Sequence, residues 1–179
     1  MDEAPRLPTA PPGLKAKDIR PDRGWRRYAS PISVVLLGGI MLAALFNLFG
    51  GGPVPTRQVS TPDAVLKVST PEIIRNGEFF ETLVIIEARR PIVEPVLSVS
   101  SSLWREVSIN FMAPAASEEE FKDGAFRFIY GAMKTGDRLL VKVDGQINPA
   151  LIGELRGQIA VSDGDRPLAA LPLKIWVLP

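Results

Sequence analysis

Few kinds of residue in this chain could do chemistry. It has no Cys and no His, which removes thiol nucleophiles, disulfides, thiolate zinc sites and lipid attachment at cysteine. Serine–histidine triads and imidazole acid–base chemistry go with them. Asp, Glu, Lys, Tyr, Ser and Thr remain. Two groups of carboxylates invite a reading. "SDGDRP" (Ser162 to Pro167) brings Asp163 and Asp165 close together, either as polar residues of a hairpin turn or as part of a weak cation site. The further oxygen ligands and distal Glu of a calcium loop are missing from its surroundings. Glu118, Glu119 and Glu120 are adjacent. Paired carboxylates do acid–base work when one pKa is raised, whereas an acidic run in a loop is ordinarily solvated. No Gly-rich loop follows a strand and opens a helix, so no phosphate cradle is expected. The sequence therefore predicts no catalytic, metal-binding or cofactor-binding residues.

Binding residues are better represented. Trp104 and Arg105 follow the serines of "SSSLWREV", and Trp and Arg are the types that anchor interfaces. Trp104 equally fits the core tryptophan of a β-sandwich. Trp176 alternates with Leu173, Ile175 and Val177, which predicts an outward ring. These three form the candidate domain interface.

The elements that must position them read mostly as strands. From Ala64 onward apolar and polar residues alternate with period two. "VSINF" predicts Val107, Ile109 and Phe111 on one face, "FRFIY" Phe126, Phe128 and Tyr130, and "RLLVKVD" Leu139, Val141 and Val143. "LPLKIWV" predicts Leu171, Leu173, Ile175 and Val177 inward with Lys174 outward. Turn pairs at Asn76-Gly77, Asp123-Gly124, Asp144-Gly145 and Asp163-Gly164 tolerate positive φ. "APAASEEEFKDG" and "INPALIGELRG" read as connections. The prediction is an all-β, antiparallel, immunoglobulin-like sandwich of about seven or eight strands over residues 64–179.

Ahead of it lies a segment of another kind. No charged residue occurs between Arg27 and Arg57, and the apolar run from Pro31 to Gly50 would span roughly 30 Å as a helix, one bilayer core. It is too long for an export signal, and Pro53 is a poor residue after a cut. Residues 28–50 are therefore expected to form one uncleaved transmembrane helix. Residues 1–27 are expected to form a disordered basic cytoplasmic tail rich in Pro and charge, and residues 51–63 a Gly/Pro linker. Arg20, Arg23, Arg26 and Arg27 place the N-terminus in the cytoplasm by the positive-inside rule. Within the helix Gly39, Ala43 and Asn47 recur every four residues, with Gly50 nearby. Such a face suits close helix–helix packing and an interhelical hydrogen bond.

Charge agrees with this division. Residues 1–55 hold 7 basic and 4 acidic side chains, a charge of +3, while residues 56–179 hold 14 and 16, a charge of −2. A mildly acidic domain is a poor match for nucleic acid.

A basic tail, one helix and a small all-β domain resemble bacterial membrane-anchored proteins with an immunoglobulin-like module. The Cys…Trp…Cys signature of antibody domains is absent, so a fibronectin-like or adhesion-type relative is nearer. Copper chaperones for cytochrome oxidase assembly share the layout but use thiolates, which this chain lacks. The resemblance implies a non-enzymatic, single-pass protein of the bacterial inner membrane with its C-terminal domain outside the cytoplasm. Its partners would be the bilayer and another integral membrane protein, or a second copy of itself. A ligand-binding or sensor module is the alternative, although the short tail offers no output domain.

Overall fold

A computed structural model describes residues 26–46 and 48–179, with side chains from Pro31 onward. Arg20, Arg23 and Asn47 lie outside the described residues. The chain divides into two compact units, 1–42 and 43–179.

Helix α1 (Arg26–Leu45) begins with Arg26 and Arg27 and contains Pro31. Its large apolar side chains from Ile32 to Leu45 are exposed. Among the described residues no helix is long and apolar enough to cross a membrane. The helix stops at Leu45, short of the expected Gly50. Leu48 N–H bonds back to the Ala43 carbonyl (3.0 Å), and Gly50 follows with φ +78°. Gly50 is thus off the helical face on which Gly39 and Ala43 lie, because its backbone sits in the left-handed region that glycine enters without steric cost.

The second unit contains eleven described strands and one helical turn: β1 (Thr56–Ser60), β2 (Ala64–Ser69), β3 (Ile73–Arg75), β4 (Phe79–Ala88), β5 (Pro95–Ser100), α2 (Ser101–Trp104), β6 (Val107–Ala113), β7 (Glu118–Lys122), β8 (Ala125–Ile129), β9 (Arg138–Ile147), β10 (Gly153–Asp163) and β11 (Arg166–Leu178). One sheet runs β1-β2-β4-β9-β6 and the other β3-β11-β10-β5-β8-β7. They face each other across a core that includes Leu66, Ile86, Leu97, Ile147 and Ile159, each under 2 % exposed. This is a β-sandwich of the immunoglobulin/fibronectin-like kind, in which inward residues of both sheets interdigitate.

The strand count exceeds the seven or eight expected, for identifiable reasons. β1 lies inside the stretch 51–63 read as linker, held by backbone pairing to β2 from Thr56↔Ser69 to Ser60↔Val65 with little apolar signal. β3 has only three residues and pairs parallel to β11, so the sheets are not wholly antiparallel. β7 occupies the supposed connection "EEEFK". Asp123 (φ 53°) and Gly124 (φ 75°) form a two-residue turn with both φ positive, and such a turn needs a strand on each side. β10 starts at Gly153, inside the supposed connection "INPALIGELRG".

Two turn and face assignments are also corrected. Asp144-Gly145 is not a turn: it lies within β9, with Gly145 opposite Phe80. A Cβ at Gly145 would stand 2.9 Å from Phe80 Cζ, so glycine is there to admit the ring. In β6 a bulge separates Ile109↔Gly145 from Phe111↔Asp144, leaving Asn110 unpaired between them. The bulge shifts the alternation by one residue. Phe111 therefore joins the outer face instead of the side shared by Val107 and Ile109, and Met112 turns inward. The alternation of β8, β9 and β11 is as expected: Phe128, Val141, Val143, Leu173, Ile175 and Val177 are buried.

Candidate protein-interaction surface

β6 ends one sheet and β7 ends the other, and a short connection from Ala113 to Glu118 joins them, so the sandwich is open along this side. Apolar side chains that would be covered in a closed barrel stand at this mouth. Trp104, Phe126 and Phe128 from α2 and β8 face Val107, Ile109 and Met112 from β6 across a groove of about 410 Å³, and Glu119 lines it as its single acid. The aromatic rings form a chain. Trp104 lies 6.0 Å from Phe126 and 5.7 Å from Phe128, and Phe121 meets Phe126 edge-on at 5.2 Å, all within the range of favourable aromatic pairs.

The sequence delivers Trp104 there through a glycine. α2 is one turn long, and Ser100 anchors its start on β10, its hydroxyl accepting from Gln158 N–H at 3.0 Å. A Cβ at Gly157 would lie 2.8 Å from Leu103 Cβ and 3.2 Å from Leu103 N. Only glycine lets α2 settle on the strand, which buries Leu103 and turns Trp104 inward.

Trp104 is consequently a core residue, 9 % exposed, reaching the surface only as part of the groove wall. Arg105 follows α2 as an exposed residue in extended conformation. Trp176 is 45 % exposed, with Lys174 Nζ 4.7 Å over its ring. It pairs with Ile73 of β3 and Glu154 of β10, on the outer face. The fold thus does not bring Trp104 and Trp176 together. Ile109 and Met112 are groove residues that sequence reading did not assign to an interface, and Phe121 adjoins the groove through Phe126. The Asp123-Gly124 pair was the available signal for Phe121, since it implies β7.

The carboxylates are accounted for individually. Asp163 accepts from the backbone N–H groups of Val93 (2.9 Å) and Glu94 (2.8 Å). The Glu94 bond leads in holding its carboxyl below the usual range, against a partial desolvation that raises it and with help from Arg166 and Val93. Asp165 pairs with Lys122 (2.9 Å) and Arg127 (2.8 Å), and these bonds lower its pKa, Lys122 first. Both aspartates are engaged in stitching the turn, and no group of three potential metal ligands occurs among the described residues. Glu120 pairs with Arg127 at 2.8 Å. Glu118 and Glu119 are exposed and form no ion pair among the described residues. Glu119 acts on Tyr130, whose phenol is pushed up to about 12, chiefly by burial and secondarily by that charge. Among the described residues the buried polar ones are Thr70 and Thr82, bonded to each other at 2.8 Å.

No protein-family model matches the chain, and no curated protein does. Among solved structures it is similar to the CARDB domain of a Pyrococcus furiosus protein: 11 % identity, TM-score 0.43, covering 68 % of this chain and 93 % of that one. It is also similar to the chitin-binding domain of a hyperthermophilic chitinase from the same organism (10 %, TM-score 0.40, 62 % and 97 %), and to CaCohA2 from Clostridium acetobutylicum (15 %, TM-score 0.42, 62 % and 88 %). At these identities and overlaps the likenesses carry no argument about binding.

Proposed function

We propose that this chain is a non-enzymatic, single-pass protein of the bacterial inner membrane whose β-sandwich lies outside the cytoplasm and binds another membrane protein as an accessory or scaffold subunit. The apolar groove at the open side of the sandwich is the observation that carries the binding role. Its strand edges, β6 and β7, each have a free side, which an added strand could pair with. Its occupant is an extended segment of the partner, apolar where it enters the groove and basic alongside Glu118 and Glu119. A second copy fits β7 less well, since its own acidic run is repelled there.

The anchor rests on α1 and its flanks. Its support is the uncharged sequence between Arg27 and Arg57: α1 opens on Arg26 and Arg27 and carries an apolar stretch from Pro31 to Leu45, roughly 22 Å of rise, and the apolar run continues in sequence to Gly50.

The test is site-directed photo-crosslinking in native membranes. A photoactivatable phenylalanine at Phe121 or Ile109 is expected to capture one membrane protein, and the same probe at Val93 is not. Ile109→Lys with Phe121→Glu should lower the yield from a third groove position at least about tenfold, as loss of a central apolar anchor does. Equal capture from all positions, or a double variant that crosslinks as before, would remove the groove as the binding site.

A further inference from the structure

The two ends of the sandwich differ in character. At the β10–β11 hairpin end, Asp63, Asp163, Asp165, Lys122, Arg127 and Arg166 are joined in ion pairs of 2.8–3.4 Å. The opposite end carries several exposed apolar side chains among its paired charges. Phe79 is 69 % exposed and Ile152 61 %, and Phe49, Val54 and Trp176 are also exposed there. Hydrogen bonds and pairings tie these positions to one end. The Phe49 carbonyl accepts from Arg75 Nε (3.3 Å), and Asn76 Nδ2 donates to the Pro149 carbonyl (2.9 Å). Arg75 pairs with Leu178 at the end of β11, and Trp176 with Ile73.

This is also the end at which the chain arrives from α1. Gly50 is packed so closely on β3 that a Cβ would lie 3.3 Å from the Ile73 carbonyl oxygen. Between Leu45 and Gly50 the chain can reach at most about 18 Å. The headgroup region of a bilayer is itself roughly 5–8 Å deep on each side. With α1 in the bilayer, a tether of this length would keep the end of the sandwich that carries Gly50 within reach of the headgroups.

We infer that this end of the sandwich rests on the lipid surface, with Phe49, Val54, Phe79, Ile152 and Trp176 in the boundary between headgroups and acyl chains. The inference depends on the single-pass reading of α1. Attraction is by apolar burial and not by net charge, because Arg57 is paired with Glu72 and Glu154 is paired with Arg156 and Lys174 beside Trp176. Uncharged lipid suffices, and the contact is insensitive to salt.

The full chain, which has no native cysteine, is reconstituted in phosphatidylcholine vesicles carrying lipid-borne nitroxides. Single variants Leu42→Cys, Phe79→Cys, Ile152→Cys and Val93→Cys each bear one environment-sensitive fluorophore. Val93, exposed at the hairpin end beside Asp163, is the aqueous reference. Quenching at 42, 79 and 152 several-fold stronger than at 93, unchanged in high salt, is expected. Quenching at 42 with 79 and 152 behaving as 93 would overturn the inference and leave the anchor standing. No quenching at 42 would overturn the anchor and the inference with it. If 79 and 152 are shielded from aqueous iodide yet untouched by lipid nitroxides, protein covers this end, and the inference fails in favour of that contact.

Discussion

At the scale of single residues, the groove joins an acid to an aromatic floor. Tyr130 is buried behind Met112, its hydroxyl directed at Sδ (3.7 Å), and Glu119 adds a negative charge nearby. Both effects favour the neutral phenol, so its folded pKa is raised from 10.0 to about 12. The unfolded chain then loses its proton first, and stability falls where the native state holds the extra proton. The contribution of Tyr130 is whole below about pH 10 and is lost as pH rises toward about 12. In a chain lacking residues 1–55, Tyr130 is the single tyrosine, and absorbance of phenolate at 295 nm should show one late titration. A midpoint near 10 would mean that the ring behind Met112 is solvated.

At the scale of elements, the fold depends on two close approaches that glycine permits. Gly157→Ala should cost about 1–3 kcal/mol, the usual range for overpacking, because the added Cβ meets Leu103 backbone as well as side chain. Urea unfolding of the domain followed by tryptophan fluorescence would measure it, and an unchanged midpoint would mean that α2 is not seated on β10. Gly124→Ala is the useful contrast, with φ +75° but open space around its Cβ.

These positions also show what was legible in the sequence. Long strands with clean alternation, such as β9 and β11, announce their faces because one side is buried along their full length. β1, β3 and β7 do not, since edge strands bury little and owe their form to pairing with a neighbour. Asp144-Gly145 has turn chemistry, yet Phe80 uses the same absent Cβ for packing. Only the position of Phe80 across the sheet separates the two uses. The groove itself was hidden for a similar reason: it arises where β6 and β7 end their sheets, and edge status is a property of topology that no local pattern encodes.

At the scale of the whole molecule, the buried core begins at Ala64, and Leu48, Phe49 and Val54 ahead of it are exposed. A chain of residues 56–179 should therefore keep its sandwich, with a stability within about 1 kcal/mol of the longer protein, the range for changes outside the core. Circular dichroism and urea unfolding of both forms would check this. Loss of the cooperative transition would show that the segment ahead of β1 is part of the folding unit. The same truncation leaves Phe79, Ile152 and Trp176 uncovered, and the isolated domain should have to be kept dilute.

The bulge in β6 has a bearing on how this protein can change length. Removing a residue from a strand ordinarily exchanges the surroundings of everything beyond the gap. Asn110 is the exception in β6, because it already stands outside the pairing count: Ile109 and Phe111 answer to consecutive partners, Gly145 and Asp144, without it. It is a spare link, and the strand could be shortened there with every other side chain keeping its address.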